Sequence, residues 1–453
     1  MGKRRTDQKA MAKTIADQDL DHTLPALVHE NAGRIEELKR ALASLLALCA
    51  FLLLMLSLRP FNASSVIVLE PVHGDLLNQV GFAIAGLVVA LALTTLISTR
   101  LLGLFASPAW IGIALVLCIS IVVAPDPGGA ARSVILTLVG MLIAASFVLL
   151  PPSERAFQYI CATAILLLLA INYLGVFLRP DLAIHGAEGR EAQHAGLWRG
   201  HFAHKNLAGP VMSAYVMFGI YLWRSKFRFT GALIAILAFF FLLQTGSKTT
   251  TALLPIAILI VTAGRLLALP ALTLVLYVVT LLGIGLLTIG TLYSPTLADV
   301  TAMILDDPTF TGRVTLWGFG IENIAQHLWF GTGYDSFWGT PTVTGLEFPY
   351  EAAWDFRGII HGHNNYIDML LTMGVIGAGV VFWALIVMPC IHYVRSERFP
   401  SNRNLADLFM MILVFMTLLS FLETFFLRRI DPMWLLMVIA IVGLQLTARF
   451  RVT

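Results

Sequence analysis

The sequence HGHNNY at residues 361–366 ends the longest polar segment of the chain, just where a new apolar run begins. That segment extends from about Tyr293 to Asn365 and interrupts a sequence that is otherwise strongly apolar. The contrast predicts a loop outside the membrane that carries the reactive groups, held in place by the apolar helices on either side. The segment also holds Asp306, Asp307, Arg313 and Arg357.

Composition indicates a membrane protein. Of the 453 residues, 58% are hydrophobic and 13% are charged, and the mean hydropathy is +0.82. Globular proteins carry about 25% charged residues, so a soluble protein with half that charge could not cover its own surface. The net charge of +3 is too small to indicate a nucleic acid partner. We therefore expect an all-α polytopic membrane protein.

Twelve apolar runs are candidates for membrane helices, each of which needs roughly 20 mostly apolar residues. Residues 1–40 precede them, are polar and basic, lack a signal-peptide pattern, and are expected to form a cytoplasmic tail. Residues 41–453 then form one polytopic membrane domain. The runs lie at about 41–58, 80–98, 107–124, 132–150, 157–178, 207–223, 231–245, 251–264, 266–290, 366–390, 407–427 and 433–447.

The distribution of basic residues predicts the orientation. With both termini in the cytoplasm, the tails and the short inside loops carry most of the 30 basic residues, as the positive-inside rule requires. All of the polar clusters lie on the outer side of the membrane, and the sequence shows no internal repeat. Both observations favour an enzyme over a transporter. The outward polar clusters are 179–206, the turn 246–248, the large loop 291–365, and 428–431.

Within the large loop, residues 311–327 have helical spacing. We expect this helix to lie flat on the membrane interface, with Trp317 and Trp329 at the depth of the headgroups.

Two histidines before the apolar run could act as a general base. His363 stands at the mouth of a predicted helix, where an imidazole can titrate near neutral pH and accept a proton from a sugar hydroxyl. His361 is a rival two residues away, and residue type does not separate the two. The alternative is a polar helix cap, in which Asn364 and Asn365 accept hydrogen bonds from free backbone N–H groups.

Two cations are candidates for phosphate binding. Arg313 offers a planar guanidinium that suits phosphate oxygens, although an interfacial arginine could equally contact lipid headgroups. Lys248 lies in QTGSKTT, which lacks the upstream glycine and strand of a nucleotide-binding P-loop, so nucleotide binding is rejected. As the only charge in a tight outward turn, Lys248 could bind phosphate or could merely anchor the helix at the interface.

A third cluster, WRGHFAHKN at 198–206, precedes another predicted helix. Helix N-termini with cationic side chains bind anions, and the alternative is a basic interfacial belt. The pair His201 and His204 could ligate a metal, but no third ligand adjoins it, so no metal is expected. The residues that could bind substrate here are Arg199, His204, Lys205 and Asn206.

Arg428 and Arg429 occupy a short outward loop, and Glu423 precedes them inside the predicted span 407–427. A carboxylate inside a membrane span is expensive and is a functional candidate for that reason. The alternative is a structural ion pair between Glu423 and one of these arginines.

The order and spacing of these motifs resemble the O-antigen ligase and polymerase superfamily, over about residues 195–390. The motifs GHFAHKNLAG and TGSKT are similar to those of its exopolysaccharide-polymerase branch, whose members polymerise repeat units in succinoglycan-like systems. In chain order the motifs are GHFAHKNLAG at 200–209, TGSKT at 245–249, Arg313 with Trp317, GTGYDSF at 331–337, and HNNYID at 363–368 followed by GVIG at 374–377.

The resemblance implies an inverting, metal-independent glycosyltransferase with a GT-C-like fold and no cofactor. The donor would be a glycan on undecaprenyl diphosphate at the periplasmic face of a bacterial inner membrane. His363 matches the histidine of the family and Arg313 its second arginine. Lys248 stands where ligase members have an arginine, and this change keeps the charge but loses the bidentate fork. The departure favours a polymerase over a lipopolysaccharide ligase.

On this reading Lys248 and Arg313 bind the diphosphate and His363 deprotonates or orients the acceptor hydroxyl. A ligase that transfers finished glycan to lipid A-core or another acceptor is one alternative, and a transporter of lipid-linked glycan is an alternative of another class. A flippase and chain-length-control proteins are the implied partners. The further substrate-binding candidates are Arg199, His204, Lys205, Asn206, Asn364, Arg428 and Arg429.

Overall fold

The computed structural model describes residues 33–61, 76–187, 192–305, 307–347 and 355–452. These residues form helices and connecting segments without any strand, apart from one isolated bridge between Ile184 and Trp198. The all-α prediction is thereby confirmed. Residues 1–32 of the predicted tail and Asp306 of the large loop lie outside the described residues.

A helix is present at each of the twelve predicted spans. Nine helices in the described ranges are long and apolar enough to cross a membrane, and two further apolar helices are shorter. The remaining one, Lys205–Arg224, has sufficient length but is less apolar. This architecture confirms a multi-pass membrane protein.

The helices of eight residues or more carry the labels α1 to α14. They are α1 Gly33–Leu56, α2 Leu76–Leu96, α3 Pro108–Val123, α4 Pro127–Leu149, α5 Glu154–Leu178, α6 Lys205–Arg224, α7 Arg228–Gln244, α8 Lys248–Leu266, α9 Pro270–Leu287, α10 Pro295–Ile304, α11 Arg313–Ile324, α12 Asn365–Ser396, α13 Arg403–Leu419 and α14 Pro432–Arg449. Shorter helical turns lie at Thr99–Leu102, Pro180–Ala183, Ala192–His194, Ile289–Leu292, Ala325–His327, Pro341–Thr344, Phe356–Gly358 and Pro400–Asn402.

Three boundaries differ from the prediction. The first helix begins at Gly33, so the end of the predicted tail is helical, and Arg265 lies in the last turn of α8 instead of between two spans. The helix α13 ends at Leu419, well before residue 427. The Asn365 side chain accepts hydrogen bonds from backbone N–H groups of the segment that follows, a non-helical arrangement that hydropathy cannot reveal.

The centre of the bundle is formed by α13 and α14. In both helices, 89% of an 18-residue apolar stretch is buried inside the protein, compared with 22% for the helix that starts at Pro270. Around them pack α6, α8, α12 and α4, while α9 lies at the periphery. The segment 420–431 joins the two central helices, so residues on it have a rigid support.

An ion network closes the bundle at the end opposite to this segment. Arg265 donates two hydrogen bonds to the Asp407 carboxylate at 3.0 and 2.6 Å and a third to Glu397 at 2.8 Å. The Tyr393 hydroxyl also donates to Asp407, at 3.0 Å. These contacts tie α8, α12 and α13 together.

The large loop has a small hydrophobic core of its own, separate from the core of the bundle. Trp317 of α11 is fully buried there, and its Nε1–H donates to the Gly362 carbonyl at 3.1 Å. Trp317 therefore packs into the protein and does not face the lipid headgroups, because its indole is buried and its N–H is satisfied by protein. Trp329 is 62% exposed, and its depth in the membrane stays a prediction.

Candidate active site

Glu423 is the centre of a polar cluster at the end of the bundle where α6, α8 and α12 begin. Its Oε1 accepts hydrogen bonds from Arg313 Nη2 at 3.0 Å and from Asn206 Nδ2 at 3.2 Å, and its Oε2 lies 3.1 Å from His363 Nδ1. The Arg313, Glu423 and His363 side chains are between 13% and 17% exposed. One carboxylate thus brings together residues from α6, α11 and the turn before α12.

The charge of Glu423 is fixed by its neighbours. Burial raises the pKa of Glu423, but the charge of Arg313 and the hydrogen bond with His363 outweigh burial and bring the pKa to about 2. The carboxylate is therefore ionised at neutral pH. When a carboxylate accepts the Nδ1–H of a histidine, Nε2 becomes the nitrogen that can take up a proton. Arg313 is further held by a hydrogen bond from its Nη1 to the Leu422 carbonyl.

The two histidines of the HGH sequence occupy different surroundings. Their ring centroids are 4.2 Å apart, and the His363 backbone N–H donates to His361 Nδ1 at 3.4 Å. Burial lowers the pKa of His361 well below its ordinary value, and the neighbouring His363 imidazole and the Arg428 guanidinium add to the effect. His361 therefore stays neutral, whereas His363 has a carboxylate beside it. This difference favours His363 as the general base.

The backbone at His363 is in the left-handed region, with φ of +50°. Residues other than glycine rarely adopt this backbone conformation. It costs on the order of 1–3 kcal/mol and persists only where the surrounding structure imposes it. Here the surroundings are hydrogen bonds on both sides of the residue. The conformation turns the imidazole toward Glu423.

Asn364 anchors this turn to the start of α12. The Asn364 Oδ1 caps α12 by accepting from the N–H groups of Tyr366 and Ile367 at 3.1 and 3.2 Å, and its Nδ2 donates to the Phe421 carbonyl at 3.0 Å. The side chain is fully buried. The cap interpretation therefore holds for Asn364, which supports the site and does not line it.

Asp368 is a positioning residue that the sequence reading missed. Its carboxylate accepts hydrogen bonds from Trp338 Nε1, from the Gly362 N–H and from the Thr424 hydroxyl at 2.7, 2.8 and 2.7 Å. It therefore joins the large loop, the HGH turn and the segment that carries Glu423. The signal was the aspartate of HNNYID, one turn into an apolar helix, where a carboxylate is expensive.

Lys205 and Lys248 add positive charge to the cluster. Each is the first residue of a helix, α6 and α8, where the helix dipole also favours anions. Lys205 is largely buried and interacts electrostatically with Glu423, Arg313 and Lys248. Neither ammonium group forms an ion pair within the described ranges. Arg313 and Lys205 therefore act on the Glu423 carboxylate while Lys248 lies near Lys205, and the excess positive charge suits a polyanionic ligand.

Arg199 and His204 shape the turn before α6. Arg199 is buried and donates from Nη1 to the Ala203 carbonyl at 3.2 Å, and His204 Nδ1 accepts from the Asn206 N–H at 3.1 Å. Burial and the neighbouring imidazoles bring the pKa of His204 to about 3, so the ring is neutral. Among the residues whose structure is described, no group of three His, Cys, Asp or Glu is arranged to hold a metal ion.

The two arginines of the loop 428–431 do not bind Glu423, and the predicted ion pair with it is wrong. Arg429 forms an ion pair with Asp335 through Nη2 instead. Arg428 is half-buried on the side of His361 and Asp431, to which its charge is coupled. Glu423 pairs with Arg313 and His363 instead of with these arginines.

The glycines of the GTGYDSF and GVIG motifs meet in space. The helix α12 is interrupted at Gly374, with φ of +64°, and the Val375 N–H donates to the Leu328 carbonyl at 2.8 Å. A Cβ on Gly374 would lie 2.3 Å from the backbone carbon of Trp329, and a Cβ on Gly331 would lie 2.4 Å from the Met373 nitrogen. Only glycine permits this close approach, through which the large loop is fixed to α12.

These features define a polytopic helical membrane protein with a buried, cation-rich polar cluster at one end of its bundle. Residues 233–382 match the protein-family model described as O-antigen ligase. This part of the chain is therefore similar to an O-antigen ligase domain, which supports the resemblance to the O-antigen ligase and polymerase superfamily. The match covers Lys248, Arg313 and His363, while Glu423 lies beyond it. No curated protein matches the chain.

Proposed function

We propose that the protein is a membrane glycosyltransferase that polymerises undecaprenyl-diphosphate-linked repeat units into exopolysaccharide at the periplasmic face of a bacterial inner membrane. The single observation that carries this proposal is the Arg313–Glu423–His363 cluster, which lies beside Lys205 and Lys248 and involves the O-antigen ligase domain. The cluster combines a candidate base with cations, the two elements that transfer from a diphosphate requires.

The cations act on the diphosphate. Lys205, Lys248 and Arg313 hold the donor phosphates and stabilise the negative charge that grows on the leaving group. Glu423 offsets part of their charge and keeps Arg313 in place. Fixed cations in a partly desolvated site interact more strongly with phosphate than they would in water. They could replace a metal ion in this role, so we propose a metal-independent reaction.

His363 acts on the acceptor. With Nδ1 held by Glu423, Nε2 takes the proton from the acceptor hydroxyl while that oxygen forms a bond to the anomeric carbon of the donor. The bond between this carbon and the phosphate oxygen breaks, and the lipid diphosphate leaves. The resulting imidazolium is stabilised by the carboxylate of Glu423. Attack opposite the leaving group inverts the anomeric configuration.

A ligase that joins finished glycan to lipid A-core or another acceptor would use the same chemistry. Lysine at position 248, where ligase members have arginine, is the observation that favours the polymerase. A transporter of lipid-linked glycan would place charges along a path at mid-membrane depth. The cluster described here lies at the ends of helices, which supports an enzyme.

The test uses purified protein in nanodiscs with the lipid-diphosphate-linked repeat unit and EDTA. A polymerase gives a ladder of products from the repeat unit alone, and Arg313→Ala abolishes the ladder. A ligase gives product only when lipid A-core or a second acceptor is added. Intact donor under all of these conditions, with correctly folded protein, would refute a transferase function.

A further inference from the structure

A groove open to the membrane lies between α9 and α12, at the end of the bundle away from the Glu423 cluster. Its volume is about 610 Å³, and its walls are almost entirely apolar. Val278 and Leu282 of α9 contribute one wall, and Ile386 and Cys390 of α12 contribute the other. Val278 and Leu282 are also exposed on the bundle surface. The groove therefore faces the hydrocarbon of the bilayer.

The groove exists because α9 and α12 do not pack closely there. The helix α12 contains a π-helical segment, Trp383–Val387, which supplies part of the wall. π-helical turns are rare and occur frequently at functional sites. The Tyr277 ring forms the floor, fixed by a hydrogen bond from its hydroxyl to Thr417 at 2.8 Å. The shape is thus built into the helices.

Among the residues that the structure describes, Arg395 is the one charged residue that lines the groove, and it lies at the end of the groove. Nearby arginines are engaged, since Arg265 and Arg403 both bind Glu397, at 2.8 and 3.0 Å. Arg395 forms no ion pair and no side-chain hydrogen bond with any described residue. The apolar groove ends at a guanidinium that has no ion-pair partner among the described residues, so it is complementary to a ligand with an apolar chain and an anionic headgroup.

Helix geometry gives the size of this ligand. From Phe382 to Arg395, α12 rises about 20 Å at 1.5 Å per residue, which is close to the roughly 15 Å of hydrocarbon in one leaflet. The part of α12 after the interruption at Gly374, from Val375 to Arg395, rises about 30 Å. A donor whose diphosphate lies at Arg313 could not place that group on Arg395. The complementary ligand therefore has its headgroup at the end of the bundle opposite the active site.

We propose that this groove is a binding site for an anionic phospholipid of the leaflet that borders Arg395. One acyl chain lies between α9 and α12, and the phosphate binds the Arg395 guanidinium. The proposal is independent of the transferase function, because it rests on the groove and the charge alone. Bound lipid would hold the peripheral α9 against α12, and α9 leads into the large loop that carries Arg313.

Two measurements test the site. In native mass spectrometry, the wild-type protein should retain one molecule of added phosphatidylglycerol more tightly than it retains phosphatidylethanolamine. Arg395→Gln weakens this retention about fivefold, the effect of about one basic residue on an anionic lipid. Arg398→Gln is the matched control, since Arg398 is exposed on the same segment but does not line the groove, and it retains lipid like the wild type.

The second measurement uses the native cysteines. Phosphatidylglycerol slows alkylation of Cys390, in the groove, by a membrane-soluble maleimide, and leaves the rate at exposed Cys118 unchanged. Equal retention by Arg395→Gln and wild type would overturn the proposal. So would protection of Cys390 by undecaprenyl diphosphate but not by phosphatidylglycerol, because the groove would then hold the donor tail.

Discussion

Replacing Glu423 with glutamine removes one charge and preserves the shape of the side chain. The environment brings the pKa of Glu423 from an ordinary 4.5 to about 2, which corresponds to about 3 kcal/mol of preferential stabilisation of the carboxylate at 1.36 kcal/mol per pKa unit. Weakening two charge-assisted hydrogen bonds to neutral ones gives a similar figure, about 2–3 kcal/mol. If this stabilisation acts on the imidazolium in the transition state, its loss lowers the rate about 10²-fold.

The assay measures glycan transfer from the lipid-diphosphate-linked donor by protein in nanodiscs, over a range of donor concentrations. We expect Glu423→Gln to lower kcat about 10²-fold without raising the donor KM, because Arg313 loses its competing carboxylate. Glu322→Gln, an exposed carboxylate on α11, is the control. A Glu423→Gln protein that is folded and transfers within about twofold of the wild-type rate would refute the reasoning.

The same substitution predicts a pH dependence of stability. The pKa of Glu423 is lower in the folded protein than its ordinary value of 4.5, so its contribution is fully present above pH 4.5 and is lost as the pH falls toward 2. The difference in thermal stability between wild type and Glu423→Gln should therefore shrink over this window. A difference that stays constant would contradict the ionised state of Glu423.

Three other substitutions test the remaining parts of the site. Gly374→Ala should lower the free energy of unfolding by about 2–4 kcal/mol, because its Cβ would meet the Trp329 backbone, while Gly379→Ala, with open space around it, should be neutral in the same thermal denaturation assay. Lys205→Gln should raise the donor KM about tenfold and change kcat less, as steady-state kinetics would show, since a cation at the phosphates is lost. Asp368→Asn should lower kcat and thermal stability together, because Asp368 accepts three hydrogen bonds that position the HGH turn.

Much of the fold can be predicted from hydropathy, because each membrane helix leaves a long apolar run in the sequence. The end of α13 cannot, since FLETFFL at 421–427 is as apolar as a helix interior. The segment after the helix is held in a non-helical conformation by the Asn365 side chain, which accepts hydrogen bonds from the backbone N–H groups of Phe425 and Phe426 at 2.9 and 2.8 Å. A tertiary contact between segments about sixty residues apart leaves no local pattern.

The site is predictable in part for the same reason. Arg313 and His363 could be identified from motifs that resemble the family, and the structure brings both to one carboxylate. That this carboxylate is Glu423 could not be read from the sequence, which placed it in a span next to Arg428 and Arg429. The pairing depends on where α13 ends. Likewise, Trp317 is aromatic at an expected interface, and only the fold of the large loop reveals that it is buried.

The most direct test of the central claim is the rate of glycan transfer by His363→Ala in nanodiscs, with EDTA present and donor binding measured in parallel. The account predicts that wild-type protein transfers in EDTA, and that His363→Ala binds donor normally but transfers at least about 10²-fold more slowly, the contribution expected of a general base. Transfer by His363→Ala at the wild-type rate, or loss of wild-type transfer in EDTA that Mg²⁺ restores, would contradict it.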